Sequence, residues 1–261
     1  HRIARAKREA AALVGASDRF VGDRAGLEAG FARALDSLWM AFQPIVHSQR
    51  LEVKAYEALV RTREPSIPHP GALLDAAATL GELRRLGRRI RSAVAAELRR
   101  ADPGTDVFIN LHADDLLDDE LRDPDGELAP FASRVVFEIT ERAALAEHEV
   151  VAGRVARLRA LGFRIAIDDL GAGYAGLNYF ALLSPDVVKF DMSLVRNVDR
   201  DPVKHKLLST MAGLCRDLGI RVVAEGVETT AERDAILQSG CRWMQGFLFA
   251  RPGPPYPPAK W

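Results

Sequence analysis

The chain has 261 residues with 36 Lys and Arg against 36 Asp and Glu, so its formal charge at pH 7 is zero. Proteins that wrap nucleic acid through many phosphate contacts, or that lie on anionic membranes, carry a basic excess or a polybasic run; a neutral chain meets any phosphate locally. With 48% hydrophobic and 28% charged residues it has the makeup of a globular chain rather than a disordered one, and no apolar run approaches the ~20 residues of a membrane-spanning helix.

The opening HRIARAKREAAALVG lacks the apolar core of a secretory signal. It reads as part of a longer, cytoplasmic protein. Residues 1–37 are predicted to be helical, because Ile3, Ala6, Ala10, Leu13 and Val14, and then Leu27, Phe31, Ala34 and Leu35, recur at helical spacing; the segment is expected to be a linker from an upstream domain. Two β-rich stretches, residues 39–48 and 51–62, are separated only by Gln49 and Arg50, which predicts an antiparallel hairpin. Beyond Pro65, Pro68 and Pro70, helix-length amphipathic stretches alternate with the short apolar runs DVFINL, RVVFEIT, FRIAIDDL, DVVKFD, RVVAEG and RWMQGF. Such alternation signals βα units on a parallel sheet. Counting the hairpin gives about eight strands, the number that closes a β/α barrel, so residues 38–261 are read as one α/β domain.

Some conspicuous residues have ordinary explanations. Arg84, Arg85, Arg88, Arg89 and Arg91 interleave with Leu80, Leu83, Leu86, Ile90 and Val94, the pattern of an amphipathic helix with a solvated basic face. Cys215 and Cys241 are expected to be buried free thiols, in keeping with a cytoplasmic location. The six histidines show no paired spacing of a zinc site. The tail RPGPPYPPAKW is expected to strap over the surface.

The chemistry gathers at the predicted C-terminal strand ends. Glu57, Asn110, Glu138, the pair Asp168 and Asp169, Lys189 with Asp191, Glu225 with Glu228, and Gln245 each close an apolar run. Most are spaced by 20–36 residues, with 53 between Glu57 and Asn110, against ~30 for one βα unit. In a parallel barrel these ends converge on one mouth. A lone carboxylate there is usually a helix cap, but several together repel unless something positive sits among them. Carboxylates plus an amide oxygen, without His or Cys, favour hard cations such as Mg²⁺ or Mn²⁺. Adjacent aspartates suit a pair of ions of the kind that clamps an in-line displacement at phosphorus, and Lys189 adds a fixed positive charge. Gly171, Gly173 and Gly176 match the G-x-G-x-x-G dinucleotide fingerprint, with Asp191 downstream, which keeps an oxidoreductase as a third reading. Against it, Asp168 and Asp169 would face a bound pyrophosphate.

These residues are similar to the EAL domains, bacterial cyclic di-GMP phosphodiesterases. The motif stands here as Glu57-Ala58-Leu59 in YEALVR, preceded by FQPIV and followed in order by FINL, FEITE, DDLGAGYAGL, VKFD, VAEGVET and QGFLFARP. The resemblance implies a barrel related to triosephosphate isomerase with an irregular, antiparallel first strand. It also implies hydrolysis of cyclic di-GMP to linear pGpG with two divalent cations, Mg²⁺ or Mn²⁺, with Ca²⁺ not supporting turnover. Glu57, Asn110, Glu138 and Asp168 resemble ligands of the first metal, and Asp168, Asp169 and Glu225 those of the second. Glu225 resembles a general base and Lys189 the lysine that holds the attacking water. Gln43 and Arg61 fall where the family contacts nucleotide, Asp191, Glu228 and Gln245 where it supports the site, and Glu141 where it steadies the loop after the aspartate pair. The resemblance further implies a homodimer and an upstream sensory or GGDEF-type domain. Leu170, Ala172 and Ala175 depart from the usual DDFGTGYSSL, while Phe190 and Phe247 read as packing changes. A domain that binds cyclic di-GMP without hydrolysing it is the second reading.

Overall fold

The computed structural model describes residues 23–140, 148–170, 180 and 183–261. Residues 1–22, Glu141 and the GAGYAG stretch fall outside them. Eight strands close a barrel in chain order: β1 (Trp39–His47), β2 (Glu52–Arg61), β3 (Asp106–Leu111), β4 (Val135–Thr140), β5 (Arg164–Leu170), β6 (Val187–Phe190), β7 (Arg221–Ala224) and β8 (Trp243–Met244). From β2 to β8 every neighbouring pair is parallel. The first strand is reversed, and it pairs antiparallel with β8 through Val46 with Met244 and His47 with Trp243. The expected β/α barrel with an antiparallel first strand is therefore present. The chain reverses between β1 and β2 by a turn in which Arg50 N donates to His47 O at 3.1 Å.

By compactness the chain divides into two units, one of residues up to Trp39 with Arg61–Leu86, the other of Met40–Val60 with Gly87–Trp261. In the first, residues 23–36 form a helix that buries Phe31, Ala34 and Leu35. Its Arg33 donates twice to Glu64, at 2.8 and 3.1 Å. In the second, two arginines depart from the solvated face expected of helix Leu83–Leu98. Arg91 is buried and bonds Asp115 and Asp118, each at 2.6 Å, and Arg88 grips Asp118 at 2.9 and 2.7 Å. The charge of Arg91 is matched inside, by acids of the segment after β3 that the helical pattern does not reveal. The tail does act as a strap: Gly253 pairs with Phe42, and the Tyr256 ring rests 4.9 Å from Phe42 and 5.2 Å from Tyr56.

The barrel interior decides what the mouth can do. Ile45, Ala55, Phe108, Val136, Ala166, Val187 and Val223 form one buried apolar cluster, with Trp243 packed against it. Side chains alternate across a strand with period 2, so the residue two places on re-enters the interior one layer nearer the C-terminal mouth. Those residues are Glu57, Asn110, Glu138, Asp168, Lys189, Glu225 and Gln245. On the reversed β1 the same step runs backwards, from Ile45 to Gln43. Glu225 and Gln245 lie just beyond β7 and β8, but the ladder continues through them: Glu225 N donates to Phe190 O at 3.1 Å and Gln245 N to Ala224 O at 2.8 Å. An apolar floor thus carries a polar ring, with one residue from each strand.

Candidate active site

Lys189 is the centre of the ring. Its side chain is 1% exposed, and its ammonium lies 2.5 Å from Glu138 Oε1, 3.3 Å from Asp168 Oδ1 and 3.5 Å from Glu57 Oε2, with Glu225 also in direct contact. Taking an ammonium out of water is costly and is offset only by close opposite charge. Burial pushes the lysine pKa down, yet Glu138, Glu225, Glu57 and Asp168 together raise it well above its ordinary value. Lys189 is a permanent cation.

One ammonium cannot balance four carboxylates, and the acids divide accordingly. Burial, then repulsion from Glu57, pushes Glu138 well above the usual carboxyl range. Glu225 is pushed up to about 8, mainly by burial, with Lys189 opposing and Asp168 and Glu57 adding to it. Burial also presses upward on Glu57, but Lys189, Gln245 and Asn110 outweigh it and hold this carboxyl below its ordinary value. The amides form a chain that fixes Glu57. Asn110 Nδ2 donates to one Glu57 oxygen at 2.9 Å, and Gln245 Nε2 to the other at 2.6 Å and to Gln43 Oε1 at 3.0 Å; Gln43 Nε2 donates to Ala250 O at 3.0 Å. Two glycines make the closeness possible. A Cβ on Gly246, next to Gln245, would stand 2.0 Å from Val227 O, and one on Gly226, next to Glu225, would stand 2.5 Å from Met192 Cβ.

Strict alternation would send Asp168 and Asp169 to opposite faces of the sheet. The β5–β6 register instead shifts between Ile167 and Leu170, and Asp169 takes φ 59°. This irregularity re-aims the second aspartate. Oxygens of Asp168, Asp169 and Glu225 then all lie within 4.8 Å of one another, as do oxygens of Glu57, Glu138 and Glu225. Burial first, and then the charges of Asp168 and Asp191, raise the Asp169 pKa.

The outer residues play different parts. Asp191 caps helix Met192–Val195 by accepting from Ser193 N at 2.8 Å. Glu228 pairs with Arg196 at 2.5 and 2.7 Å and lines the mouth. Arg61, the last residue of β2, is half-buried and belongs to the other compact unit. A cleft of about 210 Å³ at the mouth is walled by Gln43, Glu57, Leu59, Met192, Gln245 and Phe247, among others. Phe190 is fully buried, but Phe247 is 47% exposed with the Arg251 guanidinium 4.2 Å above its ring. It is a mouth residue rather than the packing change expected of it. One supporting residue escaped the sequence reading altogether. Buried Glu232 accepts from Asn197 N and Glu228 N at 3.0 Å and from Thr229 N at 3.1 Å, and so ties the segment after β6 to the one after β7. Its signal was the Thr229-x-x-Glu232 capping box.

The donors suit divalent cations. Among the described residues, buried Glu138 Oε2 has no partner, and buried Glu138 Oε1, Asp168 Oδ1 and Glu225 Oε1 share the single Lys189 ammonium, which leaves oxygen lone pairs aimed into the cluster. Carboxylates and amides are the donor set of hard ions.

The family model of the EAL domain matches residues 29–252. The chain belongs to the EAL domain family. Among relatives of this EAL domain, the probable cyclic di-GMP phosphodiesterase PdeG of Escherichia coli is 30% identical over 247 residues, covering 90% of this chain and 49% of the relative. The manganese and cyclic di-GMP complex of Klebsiella pneumoniae BlrP1 at pH 9.0 superposes with a TM-score of 0.75 at 32% identity, covering 83% of this chain and 56% of that one. The cyclic di-GMP complex of the PaMucR phosphodiesterase gives a TM-score of 0.79 at 28% identity, over 88% of this chain and 98% of that one. The first curated relatives it matches are two to three times as long, since the EAL domain spans 32% to 49% of their length.

Proposed function

We propose that this EAL domain hydrolyses one 3′-5′ phosphodiester of cyclic di-GMP to give linear pGpG. The observation that carries the reading is the polar ring: one inward side chain from every strand, with a lysine held among four carboxylates at a mouth open to solvent. The names of its relatives, and the cyclic di-GMP seen in its structural neighbours, supply the substrate. Two divalent cations, Mg²⁺ or Mn²⁺ rather than Ca²⁺, would be held by Glu57, Asn110, Glu138 and Asp168 and by Asp168, Asp169 and Glu225. Such ions when bound activate water and neutralise phosphate charge.

The chain's own residues do the rest. In the net reaction a water oxygen joins phosphorus, the bond to the 3′ oxygen breaks, and that oxygen leaves with a proton. Glu225, in contact with Lys189 and with an oxygen within 4.8 Å of those of Asp168 and Asp169, is placed to take a proton from the water. Lys189 is a fixed donor that orients the water oxygen beside Glu138 and Asp168. Asn110 and Gln245 keep Glu57 ionised and oriented, and Gln43, Leu59 and Phe247 form the wall a nucleotide meets, with Arg61 proposed as a phosphate or guanine contact. The longer lengths of the relatives support an upstream sensory or GGDEF-type domain, and homodimerisation belongs to the same proposal.

Purified protein incubated with cyclic di-GMP and Mg²⁺ or Mn²⁺ should form pGpG, followed by chromatography, and Glu57→Ala or Asp168→Ala should abolish it. Calorimetric binding without product under either metal would replace the hydrolase by a receptor.

A further inference from the structure

The opposite end of the barrel holds a second concave site that the hydrolytic reading does not use. A cavity of about 380 Å³ is lined by Arg216, Arg221 and Arg242, with His47, Asp186 and Trp243. Arg221 and Trp243 begin β7 and β8, and His47 ends the reversed β1, so these residues gather at the mouth away from Lys189. The Arg221 guanidinium lies 4.3 Å from the Trp243 ring centroid, and the His47 ring meets Trp243 edge-on at 5.9 Å.

The charge there is unbalanced. Asp186 is the one carboxylate of the lining, and it is already engaged by Ile165 N at 2.8 Å and by Arg159 at 3.3 Å. Among the described residues, neither the Arg221 nor the Arg242 side chain has a hydrogen bond or a carboxylate within 4 Å, and Arg216 has only Asp217 at 3.9 Å. Burial, then the Arg50 guanidinium, lowers the His47 pKa, with Arg242 pressing the same way, so the imidazole feels the positive field. Stacking on Trp243 holds Arg221 in one plane, which leaves its N–H edge ordered for an incoming acceptor. Three guanidiniums offer more donors than a carboxylate's two oxygens use, whereas a phosphate presents three oxygens and up to two charges. The cavity's volume falls within the range of small-molecule sites, and the neutral chain argues against a polymer.

We propose that this cavity is a second anion site, which takes a small molecule carrying a phosphate group. The stacked Arg221 and the exposed Arg216 and Arg242 grip the phosphate, and the rest of the ligand lies toward solvent.

Replacing Trp39 and Trp261 by Phe leaves Trp243 as the one indole of the three in the chain and makes its fluorescence a local reporter. In EDTA at pH 7, inorganic phosphate and 5′-GMP should each change Trp243 emission saturably, while guanosine should not. Arg242→Ala and Arg216→Ala, both at exposed positions, should each weaken binding about tenfold or more with an unchanged melting temperature. Asp168→Asn, at the other mouth, should leave binding intact. The proposal falls if neither anion gives a saturable change at millimolar concentration, if the arginine variants bind as tightly as the parent, if guanosine matches 5′-GMP, or if Asp168→Asn removes the response. None of these readouts depends on hydrolysis, so failure here and failure of the phosphodiesterase reading are separate results.

Discussion

Lys189→Met tests the electrostatic logic of the ring most directly. Methionine fills much of the same space, so the change removes a charge with little loss of volume. The ammonium it deletes is buried and touches four carboxylates. Breaking a buried ion pair by removing one partner costs about 3–5 kcal/mol, and at roughly 2–4 °C per kcal/mol for a chain of this size the melting temperature in EDTA should fall by about 6–20 °C. The penalty should depend on pH. Glu138 and Glu225 already have raised pKa values, Glu225 to about 8, and a carboxyl that is raised in the folded state binds protons the unfolded chain does not. Its contribution to stability is complete below the unfolded value near 4.5 and is lost as pH climbs through the folded one. Removing Lys189 raises these values further, so the deficit should be smaller at pH 5 than at pH 8. A saturating divalent cation should then restore more stability to the variant than to the parent, because the ion no longer competes with the ammonium; binding at 100 times Kd is worth about 2.7 kcal/mol. Urea denaturation with EDTA, and then with Mg²⁺ or Mn²⁺, at both pH values reads all three effects. A penalty under about 1 kcal/mol, or one indifferent to pH and metal, would refute the idea that Lys189 balances the carboxylates.

Other expectations follow from single contacts. Gly246→Ala forces a Cβ to within 2.0 Å of Val227 O, and should displace Gln245 and cut turnover of cyclic di-GMP more than it lowers the melting temperature. Arg91→Ala leaves Asp115 and Asp118 without their buried partner and should cost about 3–5 kcal/mol in urea unfolding, whereas Arg84→Ala, on the exposed face, should change neither stability nor turnover. Burial pushes the thiols of Cys215 and Cys241 up to about 11 and about 12, so a thiol reagent at pH 8 should label them only after unfolding. Because the unfolded thiols ionise near 8.5, folding stability should decline above that pH; rapid native labelling would contradict the burial.

The ring was largely legible in the sequence, for a simple reason. Glu57, Asn110, Glu138, Asp168, Glu225 and Gln245 each follow an apolar run at the repeat of one βα unit, and a parallel barrel brings such ends together whatever its detailed packing. The period-2 step from the floor to the ring was also written in the chain: Ala55 to Glu57, Phe108 to Asn110, Val136 to Glu138. Gln43 was harder to place by that rule, since on a reversed strand the step runs toward the N-terminus. Asp169 broke the rule, because a local shift of register, invisible in a string of letters, turned it toward its neighbour.

What the sequence by itself determined was the architecture and the roster of polar groups, since both follow from local periodicity and from spacing. What only the tertiary structure decided was which charge met which. Arg91 left a basic stripe to pair with acids of the segment after β3, Phe247 came to the surface under Arg251, Glu232 joined two segments, and Arg216, Arg221 and Arg242 gathered beside Trp243 with Asp186 as the one carboxylate of the lining. Coulomb energy depends on separation in space and on the depth of burial, and residues far apart in the chain acquire both only when the barrel closes.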